Sequence, residues 1–360
     1  MKTKNIIIET DKGLLTKRLR MRLIPFSCVF EITSKCNLNC KHCYICQDKT
    51  KELTFDEIKN ILKQIKSCGC LELTITGGEP LLREDIFDVI KYARDINFAV
   101  SLFTNAVLID KKTARKLKNL SVYDIQISLY GARASIHEKI TGKPGSFERT
   151  INGITLLRRN GIKPIIKTTV MRDNFKEIIH IKKFCADMKL EYIFDTMIFP
   201  KDDGGTAPLK LRLNNRDLNN FFSTMNKKDR ISFSSEQIHY RKFDTCAAAR
   251  SIFAISPNGS IYPCIAFKIE AGNINKERFK DIWQNSSVFN DIRAMSIKDI
   301  PECASCDLHN ECLRCPGLSH IEHGNFKTAP KELCRITKTK EEAKNEENLR
   351  KTQTHKIRAA

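Results

Sequence analysis

Three cysteines near the N-terminus have a spacing that suits metal chemistry. Cys36, Cys40 and Cys43 form a CxxxCxxC pattern, and we call them the triad. Thiolates are the usual ligands of iron–sulfur clusters. A cubane cluster has four irons, so three protein ligands leave one iron open to bind and activate a substrate. From the spacing alone, zinc is the alternative, with Cys46 or His42 as its fourth ligand.

A second group of cysteines lies near the C-terminus. Its seven members are Cys246, Cys264, Cys303, Cys306, Cys312, Cys315 and Cys334. Paired CxxC elements are typical of structural zinc. Seven thiols do not divide into complete tetrahedral zinc sites, whereas they accommodate two iron–sulfur clusters, one fully ligated and one with a missing ligand. Elsewhere, Cys28, Cys68, Cys70 and Cys185 are predicted to be small buried hydrophobic residues.

The elements around the triad must position it. Between residues 27 and 196, short apolar runs alternate with amphipathic helical segments. The predicted strands are residues 28–33, 71–76, 98–103, 123–129, 165–170 and 192–196. The predicted helices are residues 55–66, 86–94, 111–117, 147–159 and 175–188. This order indicates a parallel sheet with helices outside it. We therefore predict an α/β fold, a partial (β/α)6 TIM-like barrel with functional loops at the carboxyl ends of its strands.

Polar motifs follow these strands in turn. The triad comes directly after the first strand, and the sequence Gly77-Gly78-Glu79-Pro80 follows the second. Asn105 follows the third strand, and Ser128 lies near the end of the fourth. A CxxxCxxC triad and a GGEP loop after consecutive strands of one βα repeat resemble the radical S-adenosylmethionine (SAM) enzymes.

The resemblance implies a cofactor set and its contacts. In that family a [4Fe-4S] cluster binds the amino and carboxylate groups of SAM through its open iron. An electron from the cluster then cleaves a carbon–sulfur bond and releases a 5′-deoxyadenosyl radical. The implied cofactor contacts are His42 near the adenine, Gly77, Gly78 and Glu79 at the methionine ammonium, and Asn105 and Ser128 at the ribose and methionine. A flavodoxin or ferredoxin would be the electron donor.

The C-terminal cysteines resemble the SPASM extension of these enzymes, which carries auxiliary [4Fe-4S] clusters. Gly259 and Cys264 match its Gly-x4-Cys element. By the resemblance, one cluster is held by the distal quartet, which consists of Cys303, Cys306, Cys312 and Cys334. The other, nearer the active site, is held by the proximal trio, which consists of Cys246, Cys264 and Cys315. Two features depart from the family: only two residues separate Cys312 from Cys315, and the proximal trio has no evident fourth ligand.

Composition limits the remaining possibilities. The chain has 360 residues, of which 41% are hydrophobic and 29% charged, as in a soluble globular protein. No apolar run is long enough to cross a bilayer, and the N-terminal apolar stretch breaks into charge too soon for a secretory signal, so we predict a cytoplasmic protein. In that reducing compartment, clustered thiols indicate metal binding or catalysis. The formal net charge is +20, but the basic residues are spread along the chain. This distribution disfavours nucleic-acid binding and suits an acidic peptide or a charged small molecule.

The predicted organisation has four parts. A basic segment, residues 1–24, includes a possible hairpin near residues 6–13. It is followed by the SAM-cleaving core (25–230), the SPASM domain (240–336) and a charged tail (337–360) that is either a solvated helix or partly disordered.

Enzymes with this layout mostly modify peptides or proteins, by thioether or carbon–carbon crosslinking or by epimerisation. We therefore predict a peptide substrate. The chain before Ser27 is too short for the complete peptide-recognition domain often fused to such enzymes. Recognition would then need a separate leader-recognition protein or the basic segments at either end of the chain. Two alternatives remain open: the same layout acting in sulfatase maturation or on a small-molecule precursor, and a non-catalytic zinc protein.

Overall fold

One sheet of ten strands organises the chain. The computed structural model describes residues 15–47, 51–226, 229–231 and 246–359, so the predicted hairpin near residues 6–13 lies outside the described residues. The strands are β1 (Ser27–Glu31), β2 (Glu72–Thr76), β3 (Ala99–Thr104), β4 (Asp124–Ser128), β5 (Ile165–Thr169), β6 (Tyr192–Asp195), β7 (Arg230–Ile231), β8 (Ile252–Ile255), β9 (Ser260–Tyr262) and β10 (Gly272–Asn273). Their order across the sheet is β10-β9-β8-β1-β2-β3-β4-β5-β6-β7.

The strands from β8 to β7 run parallel, and β9 and β10 are antiparallel additions beside β8. The six predicted strands appear as β1–β6, which confirms the α/β fold with an open, partial barrel. Strand β1 lies inside the sheet, since Cys28 is opposite Leu73 on one side and Phe253 on the other. The C-terminal part therefore extends the barrel sheet beside the strand that carries the triad.

Helices cover the sheet. They are α1 (15–21), α2 (Phe55–Ser67), α3 (Ile86–Asp95), α4 (Lys111–Asn119), α5 (Ala134–Thr141), α6 (Ser146–Arg159), α7 (Ile178–Asp187), α8 (Asn215–Ser223), α9 (Phe279–Asn285), α10 (Ser287–Ala294), α11 (Pro301–Ala304), α12 (Pro316–His323) and α13 (Lys331–Ala359). The predicted helices correspond to α2, α3, α4, α6 and α7, and α5 was not predicted.

Local sequence explains where these helices begin and which face they bury. Thr54 and Glu57 form a reciprocal capping box at the start of α2. The buried residues of this helix are Ile58, Ile61, Leu62 and Ile65, which recur at the three- and four-residue spacing of a helix face. The same combination of a polar cap and an apolar stripe starts α4 at Asp110 and α8 at Asn214.

The C-terminal part contacts the N-terminal part of the chain through α9 and α13. The Trp283 indole N–H of α9 donates to the Leu23 carbonyl (2.7 Å), which follows α1. Helix α13 continues through the predicted boundary at residue 336 and packs against α8 of the core, with Leu333 and Ile336 buried. The beginning of the predicted tail is therefore part of the folded structure. Among the described residues, no helix is both long and apolar enough to span a membrane.

Candidate functional site

The triad occupies the loop that follows β1. Leu38 N–H donates to Cys36 Sγ (3.4 Å), and Cys43 N–H donates to the Cys40 carbonyl (3.0 Å). Burial raises the pKa of Cys43 to about 11, and the nearby Cys36 thiol adds to the rise. Burial also raises the pKa of Cys40, followed by the proximity of the other two triad thiols. Such a group of close, partly buried thiols suits a cationic metal partner, which stabilises the thiolate form.

The GGEP loop after β2 lies directly against the triad loop. Gly78 N–H donates to Thr33 O (2.8 Å), and Glu79 N–H donates to Lys35 O (2.8 Å). A Cβ on Gly77 would lie 2.3 Å from Thr33 O, and a Cβ on Gly78 would lie 2.1 Å from Lys35 O. The contact between the two loops therefore requires both glycines, and their contact with SAM stays a prediction.

The Glu79 carboxylate points into the protein. Its Oε1 accepts from Leu81 N–H (3.1 Å) and the Thr104 hydroxyl (2.7 Å), and its Oε2 accepts from Asn105 N–H (2.8 Å). Burial raises the pKa of Glu79 to about 7, although these three hydrogen bonds oppose the rise. The side chain thus joins the GGEP loop to the end of β3, while the Glu79 backbone contacts the segment that leads into the triad.

The titration of Glu79 should make stability depend on pH. Its pKa in the folded protein exceeds that of an unfolded glutamate, about 4.3, so the stability that it contributes in the protonated form is lost as the pH rises from about 4 to about 7. Glu79→Gln removes this titration. We expect the difference in unfolding free energy between about pH 5 and about pH 8 to become smaller by about 3 kcal/mol, measured by anaerobic denaturation. Glu84→Gln, at an exposed position, is the control. An unchanged pH dependence in Glu79→Gln would contradict the raised pKa.

Asn105 and Ser128 lie at the carboxyl ends of β3 and β4, and the triad follows the carboxyl end of the parallel strand β1. Asn105 Nδ2 donates to Asn37 Oδ1 (2.7 Å) and lies 4.0 Å from Cys36 Sγ. Ser128 hydrogen-bonds through its side chain to Tyr130. The structure therefore brings Asn105 to the triad directly and Ser128 to it through Tyr130.

Tyr130 is a site residue that the sequence did not single out. Its ring meets the His42 ring edge to face, with centroids 4.6 Å apart. Burial lowers the pKa of His42 to about 4, so the imidazole is neutral near pH 7. Nδ1 of His42 is buried without a hydrogen-bond partner among the described residues, a need that a bound ligand would satisfy. Burial and then the neighbouring triad thiols raise the pKa of Tyr130, and Cys40 packs against the small apolar cluster that contains Tyr130.

The seven C-terminal cysteines lie in two groups. Burial raises the pKa of Cys264, followed by its two neighbours in the proximal trio. Burial raises the pKa of Cys334 to about 11, followed by the other three members of the distal quartet. The spatial neighbours are thus the same sets that the SPASM resemblance implies. Cys312 and Cys315 belong to different sets, so the short loop between them connects the two groups.

The chemistry of these groups fits iron–sulfur clusters. Ala248 N–H donates to Cys246 Sγ (3.5 Å), and Leu318 N–H donates to Cys315 Sγ (3.4 Å). Such N–H···S bonds stabilise thiolate charge and are a means by which proteins tune clusters. Across the described residues, no three Cys, His, Asp or Glu side chains converge enough to hold one metal ion.

A cavity of about 240 Å³ lies between the triad loop and the hairpin of β8 and β9, which we call the C-terminal hairpin. Glu31, at the end of β1, and Cys46, after the triad, line one side of it. Asn258, in the β8–β9 turn, and Tyr262, two residues before Cys264, line another. The cavity therefore lies between the segment that follows the triad and the hairpin that precedes Cys264.

Lys268 joins the walls of this cavity. Its Nζ lies 2.5 Å from Glu31 Oε2 and 3.8 Å from Asp202 Oδ2. It also lies 5.7 Å from the centroid of the Tyr44 ring and 5.3 Å from that of Tyr262. One partly buried ammonium thus contacts the barrel, the triad loop and the C-terminal hairpin. Sequence reasoning missed Lys268, and its only local signal is its position four residues after Cys264.

Comparisons with known proteins agree with this site. The profile of the radical SAM superfamily matches residues 30–185, and the SPASM profile, an iron–sulfur cluster-binding domain, matches residues 246–307. The chain belongs to the radical SAM superfamily. It is an enzyme of that superfamily with a C-terminal SPASM domain, and its cofactors are SAM, a [4Fe-4S] cluster and auxiliary iron–sulfur clusters. The predictions of family, fold and cofactors are confirmed.

Relatives with this layout have more than one function. An AdoMet-dependent heme synthase from Methanosarcina barkeri is 28% identical, covering 86% of this chain and 96% of the relative. The mycofactocin maturase MftC from Mycolicibacterium smegmatis is also 28% identical, covering 80% of this chain and 77% of the relative. The family is thus established, and the reaction must be argued from the site.

Solved structures share the fold. SuiB from Streptococcus suis, bound to the precursor peptide SuiA, superposes with a TM-score of 0.70 at 21% identity and covers 86% of this chain and 76% of its own. A tagged anSMEcpe with bound AdoMet gives a TM-score of 0.71 at 17% identity and covers 92% of this chain and 96% of its own. At these identities the likeness concerns the fold.

Proposed function

We propose that this enzyme abstracts hydrogen from a peptide or protein substrate, in the manner of a maturase that crosslinks or epimerises a ribosomal peptide. The observation that carries the proposal is the cavity between the segment that follows the triad and the hairpin that precedes Cys264. Polar and apolar groups contribute about equally to its lining, and the polar members include Glu31, Asp202, Asn258 and Lys268. Carboxylate, amide and ammonium groups suit the backbone and side chains of a peptide.

The comparisons support a peptide substrate. SuiB, which shares the fold, was solved with a precursor peptide. MftC is named a mycofactocin maturase, and a further relative from Bradyrhizobium diazoefficiens, 24% identical, is named a PqqA peptide cyclase. The positive net charge of the chain favours encounter with an acidic leader segment. We propose that a separate leader-recognition protein and a flavodoxin or ferredoxin act with the enzyme.

Under this proposal the cysteines have separate roles. The triad would hold the SAM-cleaving cluster, the distal quartet one auxiliary cluster and the proximal trio the other, within a core of residues 25–230 and a SPASM domain of residues 240–336. When bound, the triad cluster and SAM supply one-electron chemistry that ends in hydrogen abstraction. Glu79 and Asn105 hold the triad loop in place through hydrogen bonds. The rings of His42 and Tyr130 pack against each other beside that loop.

A small-molecule substrate is the second candidate. The heme synthase relative is matched over 96% of its length, so the whole layout is shared with an enzyme named for a tetrapyrrole product. A cavity of about 240 Å³ is smaller than the common range of ligand pockets, about 300–1,000 Å³, so it cannot enclose a rigid macrocycle, whereas one peptide side chain can enter it. The cavity therefore favours the peptide.

The deciding experiment is anaerobic incubation of the reconstituted enzyme with SAM, a reductant and short peptides encoded beside its gene, followed by mass spectrometry. We expect a peptide that loses two hydrogens, as in a crosslink, or that takes up deuterium from D2O, as in epimerisation. Fe-coproporphyrin III, for which a further relative from Methanosarcina barkeri is named a synthase, is the parallel probe. Conversion of that tetrapyrrole, with no change in any peptide, would favour the second candidate and contradict the first.

Lys268 provides a test of the cavity itself. Lys268→Met leaves Glu31 buried without its cation, which destabilises the site by about 3–5 kcal/mol. The double variant Glu31→Gln/Lys268→Met removes both charges and should recover most of that stability. In the double variant we expect peptide modification to fall about tenfold or more because the polar wall is lost, while SAM cleavage without peptide remains measurable. Peptide modification at the wild-type rate in the double variant would show that the substrate binds elsewhere.

A further inference from the structure

Arg314 is a buried cation between the two C-terminal cysteine groups. It lies in the loop from Cys312, in the distal quartet, to Cys315, in the proximal trio. Only 6% of Arg314 is exposed, although arginine is rarely buried without a partner. Its backbone is in the left-handed region, with φ 22°, a conformation that is uncommon for residues other than glycine. The loop is the one that is shorter than in many SPASM domains, so the strained backbone belongs to a departure particular to this chain.

The side chain and backbone of Arg314 both face the distal quartet. Its backbone N–H donates to Cys312 Sγ (3.4 Å). Its guanidinium hydrogen-bonds the Cys303 thiol and, after burial, has the largest influence on the pKa of that thiol, which it lowers. Nε is buried and has no hydrogen-bond partner among the described residues. A buried N–H that lacks a protein partner next to four thiols indicates an anionic partner at that position.

A second cation near the quartet, Lys338, differs from Arg314 in its exposure to solvent. Lys338, on α13, lowers the pKa of Cys334, but its side chain is exposed, so water and salt screen it. The guanidinium of Arg314 is shielded from solvent, and a charge in such an environment acts much more strongly on its neighbours. Arg314 is therefore the cation that can act on the electronic state of a cluster held by the quartet.

We propose that Arg314 raises the reduction potential of the auxiliary cluster held by the distal quartet. The inference rests on the cluster assignment in the proposed function. Reduction adds one negative charge to a cluster, and a buried cation that donates to its thiolates stabilises the reduced form over the oxidised form. Arg314 is thus a tuning residue that acts through Cys303 and Cys312, and it makes the distal cluster an easier electron acceptor.

The test is a redox titration of the anaerobically reconstituted, full-length holoenzyme, followed by electron paramagnetic resonance. The titration is repeated in a variant with the triad replaced by alanine, where only auxiliary clusters contribute signals. We expect Arg314→Gln to shift the reduction equilibrium of one auxiliary cluster about tenfold toward the oxidised form, about 59 mV lower for a one-electron couple. Arg314→Lys keeps the charge and should shift it by about threefold or less. The matched control, Lys338→Met, removes a screened cation and should shift it by about twofold or less.

Iron content and visible spectra must accompany each titration. Equal potentials in Arg314→Gln and the wild type, with iron content unchanged, would overturn the inference and leave the proposed function standing. Loss of the distal cluster in both the Gln and the Lys variants would assign Arg314 a structural role and also overturn it. If the wild-type enzyme holds iron only on the triad, the cluster assignment itself fails, and the inference fails with it.

Discussion

Replacing Cys36, Cys40 and Cys43 together by alanine is expected to abolish formation of 5′-deoxyadenosine from SAM. The three thiols lie together in one loop, whereas the seven C-terminal thiols have one another as neighbours. Without thiolates the cluster cannot be held, and the electron needed for cleavage has no source. The product is measured by liquid chromatography and mass spectrometry after anaerobic reduction with SAM.

Iron analysis makes this prediction specific. If each cysteine group holds a four-iron cluster, the wild type contains about twelve irons per chain and the triple variant about eight. Cys46→Ala is the matched control. Cys46 lies three residues after Cys43 and hydrogen-bonds Asp203. We expect this variant to keep the iron content and the rate of SAM cleavage of the wild type. Continued cleavage of SAM by the triple variant would show that the site is assigned to the wrong residues.

The barrel could be predicted from the sequence because its elements are encoded locally. Strands such as β3 alternate buried and partly buried residues, and helices such as α2 carry a capping box and an apolar stripe, so short windows of sequence are sufficient. The pairing of β8 with β1 could not be predicted in this way. Cys28 and Phe253 are opposite each other in the sheet but come from opposite ends of the chain, and no local pattern specifies such a partner.

The parts of the candidate site that could be predicted are those in which the spacing of residues along the chain indicates the chemistry. The triad and the GGEP loop are contiguous motifs, and the grouping of the C-terminal cysteines came from family resemblance. What the sequence could not give is the direction of a side chain. Glu79 belongs to a predicted contact with SAM, yet its carboxylate is turned into the protein by donors from β3. Tyr130, Lys268 and Arg314 acquire their significance only from tertiary neighbours.

Single cysteines show the same limit. Cys28, Cys70 and Cys185 are buried, as predicted, but Cys68 is only partly buried. The apolar face of α2 ends at Ile65, and Cys68 is the residue that terminates the helix. A composition rule treats these four residues alike, whereas the position of a helix end distinguishes them.

Gly78→Ala is expected to have the second-largest effect. A Cβ at this position would lie 2.1 Å from Lys35 O and 2.8 Å from Ser34 O, both backbone atoms. Neither atom can move without displacing the segment that leads directly into Cys36. A shift of about 1 Å in a catalytic group can reduce a rate about 100-fold, and overpacking of this kind costs about 1–3 kcal/mol. We therefore expect SAM cleavage to fall about 100-fold and the unfolding midpoint to decrease.

Gly205→Ala is the matched control for this change. Gly205 lies in the loop after β6, where a Cβ would meet only the side chains of Asp203 (3.0 Å) and Lys201 (3.4 Å). These side chains are exposed and can move aside, so we expect activity within about twofold of the wild type. The C-terminal cysteines are remote from the GGEP contact in the chain, and Gly78→Ala should retain the iron of the auxiliary clusters. A Gly78→Ala enzyme that cleaves SAM at the wild-type rate would show that the contact between the GGEP loop and the triad loop does not position the reacting cluster.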